Sequence, residues 1–233
     1  MAEIRLIRHG QARFDQENYD QLSEVGVVQS ERLGRWLATI RRQPGRVVCG
    51  TLDRHRQTAN ACLAAWGQTV SPPALDARLN EFDHHEVLAR CWPELSEPGT
   101  LKTLLATAEN PQRKFQELFL TSVERWVSGR YDSDYAETWG SFRSRCVAGL
   151  EAAISGVEPS GKRSVFTSGG PIAAICQRVL GLSDAKAIEL NWSILNTSLT
   201  ILANGRRGTR VVQYGGTFGS TRTGWSAHLS IEE

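Results

Sequence analysis

Hydrophobic residues follow two spacings in the first third of the chain, one typical of short strands and the other of helices. Ile4, Leu6 and Ile7 predict a strand over residues 3–7 that ends at a polar tripeptide. Residues 23–40 carry apolar side chains at helical spacing and predict a helix. The same order of strand and helix repeats, with a strand at 46–50 and a helix at 52–66. Such an alternation of strands and helices predicts a layered α/β fold.

The rest of the chain resumes this alternation after a region of different character. Between about residues 74 and 135, polar and aromatic residues are mixed and prolines interrupt the pattern, which indicates an inserted, mainly helical cap. A helix at 138–154, a strand at 164–167 and a helix at 172–180 follow. Two last strands at 197–203 and 209–214 flank a hairpin loop. We expect one domain over residues 1–233 that contains the cap.

Charge and cysteine content argue against several classes of protein. The chain has 27 basic and 25 acidic residues and a formal net charge of +2, too balanced for a general nucleic-acid or membrane-surface binder. Its five cysteines are scattered and odd in number, so we expect reduced thiols rather than a disulfide framework. No stretch of about eighteen apolar residues occurs, and we expect a cytoplasmic protein.

Three polar clusters lie at predicted ends of strands. Arg8 and His9 follow the first strand, Arg54 opens the second helix, and Ser168 and Gly169 follow the strand at 164–167. Ligands collect at such places, because helix N-termini present unpaired N–H groups there. Two arginines beside a helix N-terminus predict a phosphate site, since guanidinium groups match phosphate oxygens. A neutral His9 would attack phosphorus there, provided that a backbone carbonyl holds its other ring nitrogen.

Three segments carry more specific motifs: LIRHG at residues 6–10, LSEVGVVQSERLG at 22–34 and LDRHRQTA at 52–59. Together they resemble the histidine phosphatase family, also called phosphoglycerate mutase-like. The resemblance implies a three-layer α/β/α sandwich with a mixed, mostly parallel central sheet. It also implies a phosphohistidine at His9, phosphate binding by Arg8, Arg54, Ser168 and Gly169, and a general acid at Glu81, which lines up with the carboxylate that the family uses.

The chain departs from the resembled pattern at Gly50, His55 and Ser168. The family normally has a second histidine at the position of Ser168, and that histidine hydrogen-bonds the transferred phosphoryl group. Serine donates one hydrogen bond without charge, and loss of a positive donor lowers a rate by roughly two to three orders of magnitude. We therefore expect either weak activity or a substitute histidine, with His84 or His85 favoured.

His55 and His228 are further candidates for the substitute. A metal site built from Asp83, His84, His85 and Glu86 is not expected, because sequential residues rarely converge on one ion. The sequence therefore predicts no metal and no other cofactor.

The function that this reading favours is hydrolysis of a phosphomonoester, either a small metabolite or a phosphoprotein. Phosphoglycerate mutase is one alternative, although residues 11–15 lack the Trp-Asn pair that such mutases carry after R-H-G. A catalytically weakened protein that binds a phosphorylated ligand is the other alternative, supported by Ser168. The expected partner is a small phosphorylated substrate, neither a nucleic acid nor a membrane, and the sequence leaves the substrate and the oligomeric state open.

Overall fold

A computed structural model describes residues 1–13, 20–67, 71–97 and 99–217 of the chain. The chain divides into two compact units. The first consists of Met1–Glu81 and the described residues from Arg145 onward, and the second is Phe82–Ser144. The three polar clusters that the sequence singles out all lie in the first unit.

A six-stranded sheet forms the centre of the first unit, and its strands follow the order β3-β2-β4-β1-β5-β6. The four strands from β3 to β1 run parallel, whereas β5 is antiparallel to β1 and β6 is antiparallel to β5. The strands are β1 (Ala2–Arg8), β2 (Arg46–Cys49), β3 (Ala74–Leu75), β4 (Lys162–Thr167), β5 (Leu199–Gly205) and β6 (Gly208–Gly216). The mixed, mostly parallel sheet that the resemblance implies is therefore confirmed.

Helices connect the parallel strands, and their ends follow local sequence signals. The helices are α1 (Glu24–Thr39), α2 (Asp53–Trp66), α3 (His84–Cys91), α4 (Thr100–Ala106), α5 (Pro111–Val127), α6 (Trp139–Ile154), α7 (Gly169–Leu180) and α8 (Asp184–Ser193). Ser23 caps α1, since its hydroxyl accepts the Gly26 N–H. Helix α7 begins at Gly169, three residues before its predicted start, because Pro171 is tolerated in a first turn.

Apolar side chains from the sheet and from two helices form the core on one face of the sheet. Ile7, Cys49 and Phe166 of three adjacent strands pack there with residues of α1 and α2, such as Leu37 and Trp66. Alternate strand residues point to the opposite face, and α7 contacts β1 and β6. Helices therefore cover both faces of the sheet, which confirms the α/β/α arrangement.

The second unit is helical and has its own apolar clusters. Leu88, Phe115 and Leu118 form one of them, between α3 and α5. Phe82 belongs to a group of aromatic rings, with its ring 4.8 Å from that of Trp126 and edge-on to Phe142. This unit shares most of its range with the predicted insertion, whose role as a cap over the site stays a prediction. Among the described residues, no helix has the length and apolarity needed to cross a membrane.

Candidate active site

His9 lies at the carboxyl end of β1, where the chain leaves the sheet. Its side chain is buried, its backbone N–H donates to the Thr167 carbonyl at 2.9 Å, and its ring Nδ1 lies 2.6 Å from the Gly10 carbonyl oxygen. A carbonyl can only accept a hydrogen bond, so Nδ1 carries the hydrogen and Nε2 keeps its lone pair. Burial lowers the pKa of His9 well below its usual range, and the positive charges of Arg54 and Arg8 add to the shift. His9 is thus a neutral imidazole with one nitrogen held and the other available.

The loop after His9 is held by polar side chains of the two helices that carry the sequence motifs. Thr58 of α2 accepts the Gly10 N–H at 3.0 Å, and Gln29 of α1 accepts the Gln11 N–H at 2.9 Å. The Thr58 hydroxyl also donates to the Arg54 carbonyl at 2.7 Å. These matched motif positions therefore fix the backbone on which the His9 ring is mounted.

Residues just before β5 also hold this loop, and no pattern in the sequence singles them out. Asn196 donates from its side-chain nitrogen to the His9 carbonyl at 3.0 Å, and the Thr197 N–H contacts the carbonyls of Arg8 and His9 at 3.1 and 3.3 Å. Thr197 has a φ of 55°, a strained conformation for a β-branched residue. Because β5 is antiparallel to β1, its first residues lie beside the last residues of β1.

Both predicted phosphate-binding arginines contribute charge next to His9. Arg8 donates from Nη1 to the Ile194 carbonyl. Arg54 is buried and donates from Nη1 to Asp20 Oδ1 at 2.8 Å, while the other oxygen of Asp20 accepts the Asp53 N–H at 2.7 Å. This ion pair fixes the orientation of Arg54 and neutralises part of its charge.

The N-terminus of α7 completes the arrangement. Ser168 is its N-cap residue and is buried. A Cβ placed on Gly169 would lie 2.6 Å from Asn191 Oδ1 and 3.7 Å from Arg8 Nε, so a side chain at this position would displace the Asn191 amide. The Gly170 N–H donates to Glu81 Oε2 at 3.1 Å, which brings the predicted general acid to the same helix end.

The segment that carries Glu81 is itself fixed by the first unit. Arg145 of α6 donates from Nη1 to the carbonyls of Arg78 and Asn80 at 3.0 and 2.6 Å, and from Nη2 to the Glu81 carbonyl at 3.3 Å. The Asn80 side chain accepts the Thr51 N–H at 2.7 Å. Glu81, which is half-buried, therefore approaches α7 from a rigid turn.

Sequence comparison shows the family to which the chain belongs. The family described as "Histidine phosphatase superfamily (branch 1)" matches residues 4–98 and 85–217. The chain belongs to this superfamily. It is 27% identical over 209 residues to a 2,3-bisphosphoglycerate-dependent phosphoglycerate mutase of Clavibacter sepedonicus, a match that covers 82% of each chain.

Solved structures share the fold at lower identity. A mycobacterial glucosyl-3-phosphoglycerate phosphatase is 22% identical, with 92% of this chain and 99% of that one covered and a TM-score of 0.61. A phosphoglycerate mutase from Bacillus anthracis is 18% identical, with 92% of both chains covered and a TM-score of 0.61. These structures place phosphatases and mutases on the same fold, and at this identity they show the fold alone.

The histidines that are candidates to replace the missing second histidine lie in different parts of the chain. His84 and His85 are the first residues of α3 in the second unit, with ring centroids 4.2 Å apart, and their substitute role stays a prediction. His228 lies outside the described residues. His55, in the first turn of α2, is completely buried, and its Nε2 lies 2.6 Å from Ser168 Oγ.

Proposed function

We propose that this chain hydrolyses phosphomonoesters through a phosphohistidine intermediate at His9. The observation that carries the proposal is the state of the His9 ring. It is buried and neutral, its Nδ1 hydrogen is held by the Gly10 carbonyl so that Nε2 keeps its lone pair, and the charges of Arg54 and Arg8 act on the ring. An imidazole in this state is a nucleophile, and the arginines supply the charge that a phosphoryl dianion requires.

In the first step, Nε2 of His9 forms a bond to phosphorus while the bond from phosphorus to the ester oxygen breaks. Arg8, Arg54 and the N-terminus of α7 stabilise the charge on the non-bridging oxygens. The protonated Glu81 carboxyl gives its proton to the departing alkoxide, so that a neutral alcohol leaves. The contact between Glu81 and the Gly170 N–H supports this role, because it holds the carboxyl at the helix end that would receive the phosphoryl group.

In the second step, a water molecule attacks the phosphorus of the phosphohistidine. The Glu81 carboxylate takes a proton from that water, the N–P bond breaks, and inorganic phosphate leaves while the His9 lone pair is restored. Neither step consumes an oxidant, a metal or another cofactor.

A mutase activity is the second candidate, because a curated relative at 27% identity is a phosphoglycerate mutase. A mutase would return the phosphoryl group from His9 to a second hydroxyl group of the substrate instead of to water. We favour hydrolysis because residues 11–15 lack the Trp-Asn pair of the mutases. Of these residues, Phe14 and Asp15 lie outside the described part of the chain.

The test combines turnover with trapping of the intermediate. Purified protein is assayed with 4-nitrophenyl phosphate and, separately, for interconversion of 2- and 3-phosphoglycerate. His9→Ala should abolish turnover, whereas Arg206→Ala, which removes an exposed side chain of the hairpin between β5 and β6, is the control. Protein quenched during turnover of a labelled ester should carry acid-labile, base-stable label on His9, because a phosphoramidate has that stability. Label on serine, or turnover that survives His9→Ala, would contradict the mechanism, and phosphate binding without turnover would favour the weakened binding protein.

A further inference from the structure

A buried pair of side chains joins two of the helix N-termini that border the site. His55 belongs to the first turn of α2, and Ser168 occupies the N-cap position of α7 without a capping hydrogen bond from its side chain. Both are completely buried, and His55 Nε2 lies 2.6 Å from Ser168 Oγ. The His55 ring centroid is 5.7 Å from that of His9. The pair therefore lies immediately beside the proposed nucleophile.

His55 is not an ordinary core histidine with both ring nitrogens paired. Its Nδ1 is buried and has no hydrogen-bond partner among the described residues, although buried polar atoms are normally paired. The ring also needs a gap in the neighbouring backbone, because a Cβ placed on Gly50 would lie 2.2 Å from Nδ1. Gly50, His55 and Ser168, the three departures noted in the sequence, are thus neighbours in space, and the absence of a side chain at Gly50 makes room for the imidazole.

The pairing of the two ring nitrogens indicates which one carries the hydrogen. Unpaired buried N–H groups are rarer than unpaired acceptors, so we assign the hydrogen to Nε2 and the bare lone pair to Nδ1. Nε2–H then donates to Ser168 Oγ, and the hydroxyl hydrogen of Ser168 is free to point elsewhere.

We propose that His55 is a positioning residue, which aligns the Ser168 hydroxyl so that it donates a hydrogen bond to the phosphoryl group carried by His9. The imidazole that the resemblance places at position 168 is thereby replaced by one that enters from α2 and acts through serine. This inference rests on the proposed phosphatase function and deepens it.

The charge state of His55 is compatible with this role. Burial lowers the pKa of His55 well below its usual range, and the charge of Arg54 lowers it further. The neutral ring donates from Nε2, and a ring protonated at Nδ1 after a dianion binds would donate from the same atom. The direction of the hydrogen bond to Ser168 is therefore the same in both states.

Substitutions of His55 that share a shape but differ in hydrogen bonding provide the main test. Glutamine can place an N–H near the position of Nε2. Methionine has nearly the same shape as glutamine but no hydrogen-bond donor. We expect His55→Met to lower kcat for 4-nitrophenyl phosphate about tenfold, the scale of one hydrogen bond, with little change in KM. His55→Gln should keep kcat within about threefold of the parent, a loss smaller than one such bond.

A second background separates positioning from general loss of structure. Ser168→Ala should lower kcat by about a hundredfold, the scale of one removed transition-state donor. If His55 acts through Ser168, adding His55→Met to Ser168→Ala lowers kcat no further. Equal losses in the glutamine and methionine variants, or losses that add fully in the double variant, would overturn the proposal.

Moving the imidazole gives a rescue that a purely structural role cannot produce. Ser168→His in the parent places a second ring against His55, and we expect no gain in kcat. Ser168→His combined with His55→Ala has room for one ring, and we expect kcat above that of His55→Ala alone. The absence of that gain, with both variants folded by circular dichroism, would count against the positioning role of His55.

The proposed function and the positioning role of His55 can fail separately. If the parent does not turn over any phosphate ester, the proposed function fails, and orthovanadate affinity measured by calorimetry replaces kcat. If His55 positions Ser168, orthovanadate binding should then be weaker in His55→Met and in Ser168→Ala, with no further loss in the double variant. If these variants bind orthovanadate as the parent does, or if the parent does not bind it, the positioning role of His55 is wrong as well.

Discussion

The packing of His55 against Gly50 makes a prediction about stability that does not depend on catalysis. Gly50 follows β2, and its φ lies outside the left-handed region, so a side chain at this position costs free energy through steric contact alone. A Cβ there would lie 2.2 Å from His55 Nδ1 and 2.9 Å from Asn80 Oδ1. Contacts this short must be relieved by movement in a packed interior, and we expect Gly50→Ala to cost about 1–3 kcal/mol of unfolding free energy.

The same substitution should behave differently once the imidazole is absent. His55→Ala leaves a cavity and should cost about 2–4 kcal/mol, on the scale of other large-to-small changes in cores. In that background the Gly50→Ala methyl group enters the space of the ring, so most of its cost should disappear, apart from the contact with Asn80. We expect a coupling of about 1–3 kcal/mol between the two positions.

Urea and thermal unfolding of the parent, both single variants and the double variant measure this coupling. For a chain of this size, each kcal/mol corresponds to about 2–4 °C in Tm, so the double variant should melt about 2–12 °C above the additive expectation. Gly140→Ala is the control, because its Cβ would meet nothing closer than 3.9 Å, and it should add to His55→Ala without coupling. Additivity of Gly50→Ala and His55→Ala to within about 0.5 kcal/mol would refute the packing argument.

Two further predictions concern acid stability and phosphate binding. The folded-state pKa values of His9 and His55 are lowered by burial, so the unfolded chain binds more protons just below about pH 6.5, and stability falls as the pH drops through that window by about 1.36 kcal/mol per pH unit for each histidine. His55→Gln should lower the slope of unfolding free energy against pH by about 1.36 kcal/mol per pH unit, the contribution of one proton, in urea unfolding measured from pH 5 to pH 8. An unchanged slope would contradict the assignment. Arg54→Ala should weaken inorganic phosphate binding in calorimetry far more than Arg206→Ala, because Arg206 is exposed in the hairpin beyond β5, at the end of the sheet away from His9. Equal effects would exclude Arg54 as the phosphate ligand.

The sequence alone determined the features that depend on neighbours along the chain. Apolar spacing located β1, α1, β2 and α2 to within a residue or two, because strands and helices impose their own periods on a buried face. The polar clusters at Arg8, Arg54 and Ser168 were placed by the strand or helix boundary beside each. Helix α8 was missed although Ser183 caps it, and β3, with two residues, is too short to have a period.

The tertiary structure decided which distant residues meet at the site. Asn196 reaches His9 because β5 is antiparallel to β1, an orientation that no local pattern encodes. Likewise His55 and Ser168, 113 residues apart in the chain, meet only because β2 and β4 are adjacent and their helices begin at the same edge of the sheet. The sequence showed that positions 50, 55 and 168 depart from the resembled pattern. Only the folded chain shows that the three departures share one space, because the adjacency of β2 and β4 brings Ser168 to the His55 ring, which itself packs against Gly50.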